Sequence, residues 1–204
     1  VPNNKTYSIE LQNLIDANKS KQSISLNQAL AGLQQSSFGI LLIFFALPLA
    51  LPIPALGIAT VMALPMIFIA WQMIQGKNNA SLPKFLGNKQ ITIASLSKVK
   101  DKSQKYLNWL EKFIKPRLQF LTNKRAEQCL GLFLIILACV VATPIPFSNT
   151  VPSMGIVLIS LGLLENDGLF ILGGIFVGFI GILLTILAVI FGIEVVKQAI
   201  YAIF

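Results

Sequence analysis

The amino-acid sequence predicts an all-α integral membrane fold, with two proline-broken helical hairpins in an internal repeat, one C-terminal transmembrane helix and interfacial amphipathic helices. Three observations lead there. Residues 38 to 76, 129 to 164 and 169 to 193 contain no Asp, Glu, Lys, Arg or His, and such runs are too long and too clean for the core helices of a soluble domain. Proline clusters break the first two runs near their middles, where a helix cannot continue. Twelve of the sixteen Lys and Arg lie between Lys77 and Arg125, and a short loop with that excess reads as cytoplasmic.

The wider composition agrees. The chain of 204 residues is 55% hydrophobic with a mean hydropathy of +0.75, above the usual apolar share of about 45 to 50%. Residues 1 to 37 are polar and show no secretory-signal pattern, so membrane targeting is expected to come from the spans themselves. Within them Ser25 is a candidate cap for a short helix to Leu33, whose Leu26, Leu30 and Leu33 share a face, expected on the membrane surface. With few large apolar residues in 1 to 37 and 77 to 128, those segments are not expected to build a core of their own.

The first block, 38 to 76, reads as an arm from Phe38 to Leu51, a break at Pro48, Pro52 and Pro54, and a return arm from Ala55 to Gln75. The second, 129 to 164, repeats the plan with an arm from Cys129 to Thr143, the Pro144-Ile145-Pro146 break and a return to Leu164. Pro52, Pro54 and Gly76 map onto Pro144, Pro146 and Gly168 at one constant offset, the mark of an internal repeat. Arms of this length give roughly 21 to 23 Å of helix against a hydrocarbon core of about 30 Å. Either polar flanks are drawn into the interface or the hairpins re-enter and turn inside the membrane, where protein or a water-filled cavity must satisfy the backbone.

Both cases return the chain to its starting side, so 1 to 37, the basic loop 77 to 128 and Glu165 to Gly168 share a face. Residues 169 to 193 make one full span, and the C-terminus is expected on the opposite side. Within the loop, Ser103 to Leu121 reads as an interfacial helix, with Lys105, Lys112, Lys115 and Arg117 placed for anionic lipid headgroups, Trp109 at headgroup level and Pro116 as a kink or stop.

The stretches Ala46-Leu47-Pro48-Leu49-Ala50-Leu51-Pro52-Ile53-Pro54 and Thr143-Pro144-Ile145-Pro146-Phe147-Ser148-Asn149-Thr150-Val151-Pro152 resemble the two signature segments of the ExoD family, named for exopolysaccharide synthesis. Leu161-Gly162-Leu163-Leu164-Glu165-Asn166-Asp167-Gly168, Trp109-Leu110-Glu111 and Lys115-Pro116-Arg117-Leu118 fit the same family, so the resemblance covers roughly residues 25 to 193. Lys115 stands where the family's Arg-Pro-Arg-like element carries Arg, and Lys lacks the planar fork for bidentate binding. The resemblance implies a bacterial inner-membrane protein connected with exopolysaccharide production. The paired hairpins are also similar in architecture to DedA-type membrane proteins.

Broken hairpins expose helix ends and carbonyls that bind ions or anionic groups. Candidate substrate or ion contacts are Pro52, Pro54, Gln72, Pro144, Pro146, Ser148, Asn149, Thr150, Glu165 and Asp167, with Thr60 and Ser153 beside them. The plainer alternative is that the prolines shape turns and the hydroxyls satisfy freed backbone. Glu165-Asn166-Asp167-Gly168 has its own plain reading, a solvated turn in which Asp167 caps the last span. The blocks lack ionisable groups, which disfavours a carboxylate-based proton antiporter unless Glu165 or Asp167 turns inward.

Enzyme signatures, metal-ligand clusters and cofactor motifs are absent from the sequence, so no catalysis, metal or cofactor is expected. Cys129 and Cys139 lie about 15 Å apart along one helix, too far for a disulfide. Gly174, Gly178 and Gly181 permit close helix approach, serving a homodimer or packing within the chain. Expected partners are the bilayer, anionic lipids and polysaccharide synthesis or export proteins, and not nucleic acid. Three functions fit: transport or accessory support of exopolysaccharide production with an ion or lipid-linked phosphate, a small-ion or water pathway in pH or salt homeostasis, or a non-transporting scaffold.

Overall fold

The computed structural model describes residues 6–19, 21–52, 57–98, 117–143 and 149–203. Among them the chain is helical apart from one two-stranded ribbon. The order is α1 (Thr6–Ala17), β1 (Ser23–Ser25), α2 (Leu26–Gly32), α3 (Ser36–Ala50), α4 (Ile58–Ile74), α5 (Lys84–Gly87) and β2 (Gln90–Thr92). Then come α6, described over residues 93–98, a 3-10 turn at Gln119–Thr122, α7 (Lys124–Ala142), α8 (Thr150–Glu165) and α9 (Gly168–Ile203).

The proline chemistry sets where the arms end. Pro48 sits inside α3 and does not stop it, a correction to the view that the whole cluster breaks the helix. The stop comes at Leu51, which is extended at φ −77° and ψ 143°, because a residue before proline is pushed out of the helical region. Thr143, before Pro144, is extended in the same way at φ −69° and ψ 124°. Arm α7 begins five residues earlier than the apolar run, at Lys124, with Asn123 capping it through a bond from Ala126 N to Asn123 Oδ1 of 2.9 Å.

The arms pair across the hairpins as well as within them. Arm α3 lies antiparallel to α8, since Ser36 Oγ donates to Leu164 O and a Cβ on Gly39 would fall 2.6 Å from Ser160 O. Arm α4 lies antiparallel to α7: Thr60 Oγ1 donates to Ala142 O at 3.0 Å, and a Cβ on Gly131 would fall 2.8 Å from Ala70 O. Helix α9 packs antiparallel on α8, where a Cβ on Gly155, Gly174 or Gly181 would fall 2.6 to 2.8 Å from facing backbone, and a Cβ on Gly178 would meet Leu137 and Phe133 of α7. The close approaches of these glycines are made within one chain.

One apolar core runs through these helices, including Phe38, Leu42, Ala46, Met66, Leu134, Ala138, Ile156 and Ile159. The outer surface is apolar too, with Phe44, Val61, Leu64, Leu132, Phe176 and Phe191 exposed, the pattern of helices apolar all round. Among the described residues two helices are long and apolar enough to cross a membrane, Lys124–Ala142 and the Gly168–Gly192 part of α9.

The polar segments do more than the sequence suggested. Leu11, Leu14, Ile15, Ile24, Ala29, Leu33 and Leu96 form a second small core that closes on Leu164 of α8. The expectation that 1 to 37 and 77 to 128 build no core is therefore overturned. Strand β1 pairs antiparallel with β2, joining segments far apart in sequence, and so pools apolar residues that look sparse in each alone. Ser25 caps α2 in a capping box with Gln28, as expected. Leu30 and Leu33 are buried in protein rather than laid on lipid.

Candidate functional site

Both breaks fall at one end of the four arms, which is called the break end below; the N-terminus of α3 and the caps lie at the other, the base. At the break end Thr60 ties the start of α4 to the last carbonyl of α7. Asn149 precedes α8, its carbonyl accepting from Ser153 N at 3.0 Å, and Thr150 is half-buried. Ser153 is wholly buried and its Oγ has no hydrogen-bond partner. Other helical hydroxyls bond back one turn, Ser160 to Ile156 O and Thr185 to Gly181 O. The free hydroxyl of Ser153 thus stands at a buried helix start, a position suited to an anionic or polar group.

The base holds the charge. Gln35 and Ser36 open α3, and a carboxylate lies beside each, Glu10 from α1 beside Ser36 and Glu127 from α7 beside Gln35. Glu127 is only 5% exposed, and its Oε1 lacks a partner, as does Glu10 Oε2. Burial raises the Glu10 carboxyl above its ordinary range, partly offset by the Ser36 hydroxyl. Sequence reading missed Glu127 because its apolar block was counted from Cys129. The signal was available: Glu127, Leu130, Gly131 and Leu134 follow one helical stripe, and all are buried.

The residues singled out in the sequence separate. Pro52 lies exposed just past α3. Pro54, Pro144, Pro146, Ser148, Lys105, Lys112, Lys115, Trp109 and Pro116 lie outside the described residues. Gln72 is at the base end of α4, far along the helix from the break, and both ends of its amide hold Ser81: Nε2 donates to Ser81 O, and Oε1 accepts from Ser81 N and Oγ, at 2.8 to 2.9 Å. Arg117 is exposed, and its carbonyl accepts from Gly168 N.

Asp167 caps α9 as expected, with Leu169 N donating to its Oδ1 at 2.9 Å. It is fully buried, so the turn is not a solvated one. Asn166 adopts the left-handed conformation and Asp167 N donates to Gly162 O, a Schellman-type end that fixes Asp167 in place. Glu165 is half-buried at the end of α8.

Compared with known proteins, the chain matches the family described as "Exopolysaccharide synthesis, ExoD" over residues 7–187. The chain belongs to the ExoD family. This ExoD-family chain is 32% identical over 178 residues to an uncharacterised protein of Synechocystis sp., covering 86% of this chain and 84% of that one. It is 28% identical over 158 residues to Protein ExoD of Rhizobium meliloti, covering 76% of this chain and 65% of the relative's length. No solved structure matches. The ExoD family is linked by its description to exopolysaccharide synthesis.

Proposed function

We propose that this ExoD-family chain is a multi-pass protein of the bacterial inner membrane that supports exopolysaccharide production by passing an ion or lipid-linked phosphate between its two broken hairpins. The basic loop then faces the cytoplasm, the C-terminus faces the opposite side, and the loop cations Lys105, Lys112, Lys115 and Arg117 meet anionic headgroups.

The observation that carries this reading is the reciprocal pairing of arms. Ala50 and Ala142 end α3 and α7, and Ile58 and Thr150 start α4 and α8, each pair 92 residues apart like Pro52 and Pro144. Phe38, Gly39, Leu42, Ala46 and Leu49 are buried, and so are Leu130, Gly131, Leu134, Ala138 and Val141 at that offset. A duplicated hairpin, with each first arm packed on the other copy's second arm, accounts for both regularities. Two bodies, α3 with α8 and α4 with α7, are then joined by the proline breaks, an arrangement suited to alternating access around a site at the breaks.

The test is flux of candidate ions, or translocation of a labelled lipid phosphate, in proteoliposomes of native protein, Ser153→Val and Asn149→Leu. Transport by native protein, lost in the variants while their thermal unfolding is unchanged, is the expected result. Equal flux in all three, or none above empty liposomes, moves the assignment to a scaffold. Cysteine placed at Lys98 in a variant without Cys129 and Cys139 should label only from the cytoplasmic side, and periplasmic labelling reverses the topology.

A further inference from the structure

The register between α8 and α9 fixes how deep the breaks lie. A Cβ on Gly162 would meet Ile171 near the base, and a Cβ on Gly181 would fall 2.6 Å from Pro152 N in the first turn of α8. Gly181 is therefore level with the breaks. The uncharged run of α9 extends from Gly168 to Ile193, between Asp167 and Glu194, and Gly181 sits near its middle. At the helical rise Gly181 lies roughly 20 Å from Gly168, and Ile193 roughly 18 Å farther on, against a hydrocarbon core of about 30 Å. Lys77, Lys124 and Arg125 stand at the base ends of α4 and α7, so the base belongs at a membrane surface. The breaks then fall inside the hydrocarbon. Setting them at the far surface instead would put Leu183, Leu187, Ile190 and Phe191, all exposed, into water.

Past Thr185, α9 runs on alone. Ile186, Leu187, Val189, Ile190, Phe191 and Gly192 are exposed and together face every side of the helix, so none of the described elements packs on it there. Beyond the breaks, then, the described protein offers the far leaflet a single helix, and acyl chains reach the breaks from the side. We propose that the breaks form a half-membrane site entered sideways from the leaflet opposite the basic loop, and that its occupant is a lipid with an anionic phosphate head group, not a free ion. This deepens the reading of the breaks as the transport site and rests on it.

The surroundings select that class. A free ion approaching the breaks from the far side meets hydrocarbon without a protein wall, and a bare charge there is costly. An amphiphile avoids that cost by keeping its chain in the lipid and bringing only its head group to the breaks. What the head group finds is the N-terminus of α8 together with the hydroxyl of Ser153, fully buried and without a partner. The Cα–Cβ bond of a helical residue leans toward the helix N-terminus, so this donor is set on the same side as the positive end of the helix dipole. Both favour an anion.

The experiment places a bimane label on Met154→Cys or Phe191→Cys, both exposed positions, in the full chain without Cys129 and Cys139, reconstituted in bilayers. With phosphatidylcholine brominated at different depths, the Met154→Cys label should be quenched most by bromines deep in the acyl chain and the Phe191→Cys label by bromines near the head groups. Equal depths at the two positions, or quenching of the Met154→Cys label by aqueous iodide, would put the breaks at the surface and overturn the site. A Met154→Cys label that no bilayer bromine quenches would mean that a second copy covers the break end, which overturns sideways entry. The occupant is tested by exchanging brominated phosphatidylcholine for phosphatidic acid with the same brominated chains at equal mole fraction. Quenching should rise at Met154→Cys but not at Phe191→Cys, and the rise should be lost when Ser153→Val is added. Should Ser153→Val fail to fold, the contrast between the two labels carries the test. No rise at Met154→Cys, or a rise abolished by inorganic phosphate in the buffer, overturns the lipid. Flux is not measured here, so a transport failure with the phosphatidic acid preference intact would count against passage across the membrane and leave the site standing.

Discussion

The two hairpins share a frame and differ in what they place inside it. Gly39 and Gly131 occupy the same position, and each lets its arm press against backbone of the opposite hairpin. The polar residues do not follow the frame. Ser153 is buried in the second hairpin where the first has Val61, two-thirds exposed at 66%, while Gln72 is buried in the first where the second has Leu164. Packing positions are held by geometry that both hairpins satisfy, and the buried polar positions do not follow it.

The largest expected effect tests the shared frame. Gly39→Leu and Gly131→Leu each force a side chain into a facing carbonyl, and each should cost about 3 kcal/mol or more in denaturant unfolding of the detergent-solubilised protein. Similar losses at the two positions sharpen the equivalence. A loss at only one would break it, because it would show that the arms do not press equally.

How much of this was readable in the sequence follows the same division. The broken arms, the constant offset, the Ser25 cap and the Asp167 cap were legible because proline, glycine and capping residues act through local backbone geometry. The exchange of partners between hairpins was not, since helices apolar on every side carry no stripe to name their neighbour. The second core was hidden for another reason: Ile24 and Leu96 sit in segments brought together by the β1–β2 ribbon, and each segment alone looks polar. Glu127 escaped because the boundary of the apolar run was taken as the boundary of the buried helix.

A smaller effect probes the first hairpin's own polar residue. Gln72→Leu removes three bonds to Ser81, copies the residue type found at Leu164, and should cost about 1 to 2 kcal/mol in the same unfolding assay. Flux in the proteoliposomes should stay intact, since Gln72 lies at the base. A flux defect without loss of stability would place the transported group at the base and undo the contrast between the two ends. Ser153→Ala is the counterpart in the second hairpin. Removing an unpartnered buried hydroxyl should stabilise the fold by about 1 kcal/mol while lowering flux, and a clear destabilisation would mean that the hydroxyl is bonded and structural.

The smallest effect concerns how α1 meets the first hairpin, through Glu10 against Ser36. Burial raises the Glu10 carboxyl above its ordinary range, so the folded chain holds that proton more tightly than the unfolded chain does. Stability contributed by this group is therefore fully present at pH below the ordinary glutamate value and is lost as pH rises through the raised folded value. Glu10→Gln fixes the neutral state. The variant should unfold at a higher temperature than native protein at neutral and alkaline pH, and the gap should close on acidification as native Glu10 takes up its proton. The second hairpin begins with Gln128 in place of Ser36, and Gln128 Nε2 is committed to Ile74 O, so Gln128→Ala should lower stability by a similar amount at every pH. A Glu10→Gln gap that does not change with pH, or one that favours native protein in neutral solution, would show that the carboxylate is stabilised rather than penalised where α1 meets α3.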